Sequence, residues 1–132
     1  MPIEERRDLA LTLPDVTVYG DLALPPQPQG VVVFAHGSGS SRHSERNRFV
    51  AGRLQQSGFA TLLFDLLTVA EDRDYSRRFD IPLLTHRLLD ATAALTQQRL
   101  LPGSLPLGLF GASTGAAAAL AAAAGLGSRV AA

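Results

Sequence analysis

The sequence predicts an α/β fold, with a mostly parallel sheet entered by an N-terminal antiparallel hairpin and flanked by helices. Three observations predict it. Residues 31–35, 59–64 and 107–110 are short apolar runs, the pattern of strands covered on both faces. Segments with apolar residues at helical spacing separate these runs, and an alanine-rich segment follows the last. Alternation of strand and helix implies right-handed crossovers between parallel strands.

The elements follow in order. Residues 16–24 alternate in part and carry Val, Thr and Tyr, so they read as a strand ending at Pro25-Pro26, with 9–13 as its antiparallel partner. A proline- and glycine-rich turn covers 25–30. The strand over 31–35 runs into His36-Gly37-Ser38-Gly39-Ser40-Ser41, a loop of small residues. Residues 45–57 read as a helix that turns Phe49, Val50 and Leu54 to the core, with Gly58 where a C-terminal cap belongs. The strand over 59–64 ends at Asp65, and the polar stretch 68–78 reads as loop. Asp80-Ile81-Pro82 opens a helix with proline in its first turn and Ile81, Leu84, Leu88 and Leu95 on one face. After a turn over 101–106, the strand 107–110 enters Gly111-Ala112-Ser113-Thr114-Gly115 and a final helix.

Composition narrows the function classes. The 132 residues are 46% hydrophobic and 18% charged, enough apolar material for one packed domain. Basic and acidic residues balance at 12 each, which leaves no electrostatic footprint for a nucleic-acid partner. All the basic residues are arginine. Cysteine is absent, which excludes disulfides, a thiolate nucleophile and cysteine metal ligands. Residues 1–7 are charged and show no signal peptide, and the apolar run 116–124 is too short to span a bilayer. A cytoplasmic protein without a membrane partner is expected. The three histidines lack metal-ligand spacing, so no metal is expected.

Gly111-Ala112-Ser113-Thr114-Gly115 fits G-x-S-x-G, the nucleophile elbow. The chemistry needs a serine on a tight strand-to-helix turn, with glycines where bulkier residues would clash. It also needs a helix N-terminus whose free N–H groups meet negative charge. The plain alternative is an ordinary βα turn with glycine at its corners. The apolar strand before the motif and the helix former after it are the context a true elbow requires. The earlier loop then has a counterpart role. In an α/β-hydrolase the corresponding loop gives one oxyanion donor and the residue after the nucleophile gives the other. Here these are the backbone N–H groups of Ser38, or its neighbour Gly37, and of Thr114. A dinucleotide fingerprint would need glycine at 42, where Arg42 stands, and a P-loop would need lysine. His36 precedes the glycine loop, out of the fold's Ser–acid–His order, and is read as structural. Arg42, Arg46 and Arg48 read as a solvated face partnered by Glu45, in preference to an anion site. Asp65 is read as a hydrogen-bond partner of the His36 loop and not as a triad acid.

Together the stretches Phe34-Ala35-His36-Gly37-Ser38-Gly39-Ser40-Ser41-Arg42, Arg46-Asn47, Thr61-Leu62-Leu63-Phe64-Asp65-Leu66-Leu67-Thr68 and Gly108-Leu109-Phe110 with the elbow resemble bacterial dienelactone-hydrolase-like α/β-hydrolases. Some of these are fused to a phosphoribosyltransferase domain, of which no pattern is visible here. The resemblance implies cofactor-free hydrolysis of an ester or related acyl bond in a small-molecule substrate, through an acyl-enzyme on Ser113. Ser38 and Thr114 would hold the oxyanion, with Gly111 and Gly115 shaping the elbow. Two departures stand out. Dienelactone hydrolases use cysteine where this chain has Ser113. The last acidic residue, Asp90, and the last histidine, His86, both precede Ser113, so no triad acid or base can be carried over. The expectation is a single domain over 1–132, C-terminally truncated and inactive alone, with acid and histidine beyond Ala132. An apolar sheet edge would be left open to self-association. The competing reading is a non-catalytic pseudo-hydrolase that binds or docks. A third has His43 or His86 as base by an unusual route.

Overall fold

In the computed structural model, which describes residues 5–132, the order is β1 (Glu5–Thr12), β2 (Thr17–Leu24), β3 (Val31–Ala35), α1 (Glu45–Gln56), β4 (Ala60–Phe64), α2 (Val69–Asp72), α3 (Ile81–Gln97), β5 (Leu107–Gly111) and α4 (Thr114–Leu126). The five strands form one sheet in the order β1-β2-β4-β3-β5. The hairpin β1–β2 joins antiparallel to β4, while β4, β3 and β5 run parallel. The sheet is therefore mixed, parallel where the elbow sits and antiparallel where the chain enters. Val130 bridges to Leu107 in parallel, and Leu109 donates to the Ala132 carbonyl at 3.0 Å. Residues 130–132 thus lie along the outer side of β5.

The unbroken apolar runs of β3 and β4 are explained by cover on both faces, whereas β5, expected to be covered likewise, is half-buried along its whole length. Val31, Val33 and Ala35 of β3 and Ala60, Leu62 and Phe64 of β4 pack with Leu84, Leu88 and Leu95 of α3 and Ala118 and Ala122 of α4. Phe34 and Leu63, one residue out of phase, pack with Ala51 of α1 on the other face. The period of two along each strand thus sends alternate residues into different cores. Ile81 of α3, expected on the same stripe, is only partly buried.

Two sequence expectations are corrected. Phe49 is 68% exposed, with the Arg53 guanidinium 5.8 Å from its ring centre. The buried stripe of α1 is Asn47, Ala51 and Gln55, at i, i+4 and i+8, with Val50 and Leu54 half-buried beside it. Gln55 is tolerated inside because it donates to Thr61 Oγ1 at 2.8 Å, satisfying both groups. The stretch read as loop over 68–78 is largely helical, with α2 followed by a 3₁₀ turn, Tyr75–Phe79. Its signal was Thr68-x-x-Glu71, a capping box. Thr68 Oγ1 accepts from Glu71 N–H, and the Glu71 carboxylate accepts from Thr68 N–H at 2.9 Å. Among the described residues no helix is long and apolar enough to cross a membrane.

Candidate active site

The site forms where β5 gives way to α4. Ser113 caps the helix with φ 59° and ψ −128°, a backbone region that side chains avoid. Holding a serine there costs about 1–3 kcal/mol, which the surrounding packing must overcome. The flanking glycines show how. A Cβ on Gly115 would strike the Ala35 carbonyl oxygen and lie 2.7 Å from that of His36. A Cβ on Gly111 would strike the Gly115 carbonyl and lie 2.8 Å from Ala116 N. The first turn of α4 is thus seated on the end of β3, with no room for any side chain at either corner. Ser113 itself is exposed and makes no capping bond. Its hydroxyl is left available at the mouth of the turn.

The loop after β3 lies alongside. A Cβ on Gly37 would come within 3.3 Å of Ser113 Cβ and 3.8 Å of its Oγ, so a side chain here would press on Ser113. The Gly37 carbonyl accepts from His36 Nδ1 at 2.9 Å and from Ser40 N–H at 3.1 Å. In a trans peptide the carbonyl and the next N–H point in opposite directions. Fixing the Gly37 carbonyl therefore fixes the direction of the Ser38 N–H. The N–H groups of Gly37, Ser38 and Thr114 meet no acceptor among the described residues. Ser38, Gly37 and Thr114 also line one small cavity with His36, Leu67 and Arg78. At about 10 Å³ it has room for no more than one water. A cavity of about 420 Å³ opens at the opposite end of the sheet, where Val31 and Leu107 begin β3 and β5. Ligands of parallel sheets bind at the carboxyl ends of the strands, which is the Ser113 end.

The histidines are engaged elsewhere. His36 is 7% exposed, and its Nε2 accepts from Leu66 N–H at 3.0 Å. With Nδ1 donating to Gly37, both ring nitrogens of the neutral form are used. Burial pushes its pKa down. His43 Nδ1 lies 2.9 Å from an Arg48 nitrogen. His86 Nε2 lies 3.1 Å from Asp15 and 3.2 Å from Asp90. None has Ser113 as a partner among the described residues. The hairpin turn brings Asp15 beside His86 and Asp90 from 71 residues away, a grouping that spacing along the chain does not reveal. With Asp15 and His86 mostly solvent-exposed, it is a surface polar cluster of a kind common without a bound ion.

The arginines also differ from expectation. Arg42 binds Asp65 through its backbone N–H at 2.8 Å and its guanidinium at 2.5 Å, and Arg48 binds Asp21 at 2.8 Å. Among the described residues their partners are thus Asp65, just past β4, and Asp21, in the middle of β2, and not Glu45. Asp65 anchors the loop through Arg42. Sequence reading missed Arg87 altogether. It is 3% exposed on α3 and grips Glu71 with two bonds of 2.7 Å. Only the capping-box pattern pointed to this region.

The family model described as serine aminopeptidase, S33, matches residues 26–131. The chain is 62% identical over 111 residues to two Mycobacterium tuberculosis proteins carried under the name phosphoribosyl transferase, covering 83% of this chain. It spans 24% of the length of these curated relatives. Among solved structures it resembles a dienelactone hydrolase from Anabaena variabilis, with TM-score 0.85 and 49% identity over 92% of this chain and 57% of that one. An esterase from Pyrococcus furiosus, at TM-score 0.75 and 22% identity over 96% of this chain and 47% of that one, shares the fold.

Proposed function

The chain belongs to the serine aminopeptidase S33 family of α/β-hydrolases, and on that premise we propose that it carries the nucleophile and oxyanion hole of a serine hydrolase acting on esters or related acyl bonds. The observation that supports this most is Ser113 itself, held in a strained turn by two glycines that admit no side chain. Strain kept at one serine, at the N-terminus of a helix and the carboxyl end of a parallel sheet, is the arrangement acyl transfer uses.

The reaction follows from the geometry. Ser113 Oγ adds to the substrate carbonyl as its proton passes to a base, and the carbonyl π electrons move onto oxygen. The N–H groups of Ser38 and Thr114, with Gly37 as the neighbouring donor, meet the oxyanion. Collapse of the adduct expels the alcohol or amine with a proton and leaves an acyl-serine, which water then cleaves to the acid. Because His36, His43 and His86 are occupied away from Ser113, the base is assigned to a histidine from outside these 132 residues. The chain alone is then slow, retaining the contribution of the oxyanion donors and little more. The elbow supports acyl chemistry over the phosphoribosyl transfer for which the M. tuberculosis relatives are named. The dienelactone hydrolase likeness favours an ester substrate.

The test is acyl-enzyme formation from p-nitrophenyl acetate, followed by intact mass. An acetyl adduct on Ser113 that Ser113→Ala removes supports the reading. Nitrophenol release that Ser113→Ala leaves unchanged, with no adduct, overturns it.

A further inference from the structure

The oxyanion loop is held from a distance. Arg87 on α3 donates from Nη1 to the Leu66 carbonyl at 3.2 Å and grips both Glu71 oxygens at 2.7 Å. Leu66 in turn gives its N–H to His36 Nε2 at 3.0 Å. Both polar groups of one buried residue are thus spoken for, one by Arg87 and one by His36. The far side of the His36 ring donates to the Gly37 carbonyl at 2.9 Å. Three hydrogen bonds therefore connect an α3 guanidinium with the peptide that carries the Ser38 N–H.

We propose that the Arg87–Glu71 pair is a positioning element for the oxyanion loop, acting through Leu66 to set the His36 tautomer and thereby the Gly37–Ser38 peptide. This rests on the reading of Ser38 N–H as an oxyanion donor. Each link has a physical reason. A neutral imidazole donates from one nitrogen and accepts at the other, and which is which follows from its partners. Leu66 N–H at Nε2 forces the proton onto Nδ1, where its acceptor is the Gly37 carbonyl. Were the Leu66 peptide to turn, Nε2 would lose its donor, the other tautomer would become available, and the carbonyl would lose one of its two anchors. Arg87 holds the carbonyl of the following Leu66–Leu67 peptide, and through the buried Leu66 it restrains the neighbouring Asp65–Leu66 peptide, which carries that N–H, from turning. The Glu71 carboxylate keeps Arg87 in place and is itself fixed by Thr68 N–H. Stability alone does not require this arrangement, since a buried ion pair is commonly replaced by apolar residues at little or no loss.

That fact supplies the test. In the double variant Arg87→Met, Glu71→Met the pair is replaced by apolar volume, so the fold keeps a melting temperature near that of the parent while the Leu66 anchor is gone. The first readout is the ¹⁵N spectrum of the His36 ring, assigned with His43→Gln and His86→Gln. The parent shows one protonated Nδ1 and one unprotonated Nε2. The double variant shows the two signals converging as the tautomers mix, together with shifted Gly37 and Ser38 amides. The second readout is the rate of fluorophosphonate labelling at Ser113, which falls toward the ~100-fold loss that a 1 Å misplacement causes. Leu95→Ala, on the same helix but packed in the core, lowers the melting temperature and leaves the His36 signals alone. Should the double variant not fold, Glu71→Gln keeps the acceptor for Thr68 and removes the charge, and the same readouts apply. A single Nδ1–H tautomer in the variant, or convergence in Leu95→Ala as well, overturns the proposal. If the parent fails to label at Ser113, the nucleophile reading falls, and the ring spectrum still decides the positioning claim.

Discussion

Alanine at position 115 is the smallest perturbation that addresses the elbow. The added Cβ would strike the Ala35 carbonyl oxygen and lie 2.7 Å from both the Ala35 carbonyl carbon and the His36 oxygen. Carbon contacts are comfortable near 3.5–4.0 Å, so the Ala35 oxygen stands more than ~1 Å too close and the other two atoms roughly 0.8 Å. None is the tip of a flexible side chain. Relief requires α4 to lift from β3, which also separates the packing of Ala118 and Ala122 from the core. Overpacking commonly costs about 1–3 kcal/mol, and a site with no soft neighbour lies at or beyond the upper end. We expect Gly115→Ala to lose at least ~3 kcal/mol, or roughly 12 °C in melting temperature for a domain of this size. Gly52→Ala is the matched control. It lies within α1, where an added Cβ meets nothing within 4 Å. There the same substitution should gain about 0.5–1 kcal/mol from helix propensity. Urea denaturation of both variants gives the two free energies. A Gly115→Ala protein within about 1 kcal/mol of the parent would refute the claim that the start of α4 is seated against the end of β3.

Further consequences follow for other positions. Ser113→Gly should stabilise the chain by about 1 kcal/mol, because relief of roughly 1–3 kcal/mol of strain exceeds the entropic cost of glycine, whereas Ser113→Ala keeps the strain and gains nothing; equal stabilities for the two variants would remove the strain argument. Glu71 is held at about 2 by the hydrogen bonds from Arg87, against an ordinary 4.5. Its contribution, at most about 3 kcal/mol, is therefore fully present above pH 4.5 and is lost as pH falls toward 2. Urea titrations at stepped pH should show this acid-side loss in the parent and not in the Arg87→Met, Glu71→Met double variant.

Strands β3 and β4 were legible because they are covered on both faces, and continuous apolar runs as short as 31–35 and 59–64, bounded by turn residues, suit a strand buried on both sides, whereas β5 is only half-buried despite the same apolar pattern. The tight strand-to-helix turn at 111–115 was legible because Gly111 and Gly115 sit where an added Cβ would strike backbone. The orientation of α1 was not. Hydrophobicity placed Phe49 inward, yet the inward stripe carries Asn47 and Gln55, and the burial of Gln55 depends on Thr61, a partner on the next strand that helical periodicity does not register. The arginine near the site was missed for the same reason. Arg87 sits in an otherwise amphipathic helix, and only the fold shows it facing Glu71 and the Leu66 carbonyl. The Asp15–His86–Asp90 cluster likewise depends on the hairpin turn reaching α3, a contact that spacing cannot reveal.

The central claim is our proposal that Ser113 is an acyl nucleophile whose oxyanion donors lie in this chain and whose base does not. Fluorophosphonate labelling followed by peptide mapping tests it most directly, run as a time course on the 132-residue chain, on the longest polypeptide its reading frame encodes, and on Ser113→Ala in each. The account predicts slow labelling of the 132-residue chain, rapid labelling of any longer form that supplies a histidine, and modification confined to Ser113 and absent from both Ser113→Ala proteins. Labelling that persists after Ser113→Ala, or a 132-residue chain that labels as fast as a longer form bearing such a histidine, would contradict it.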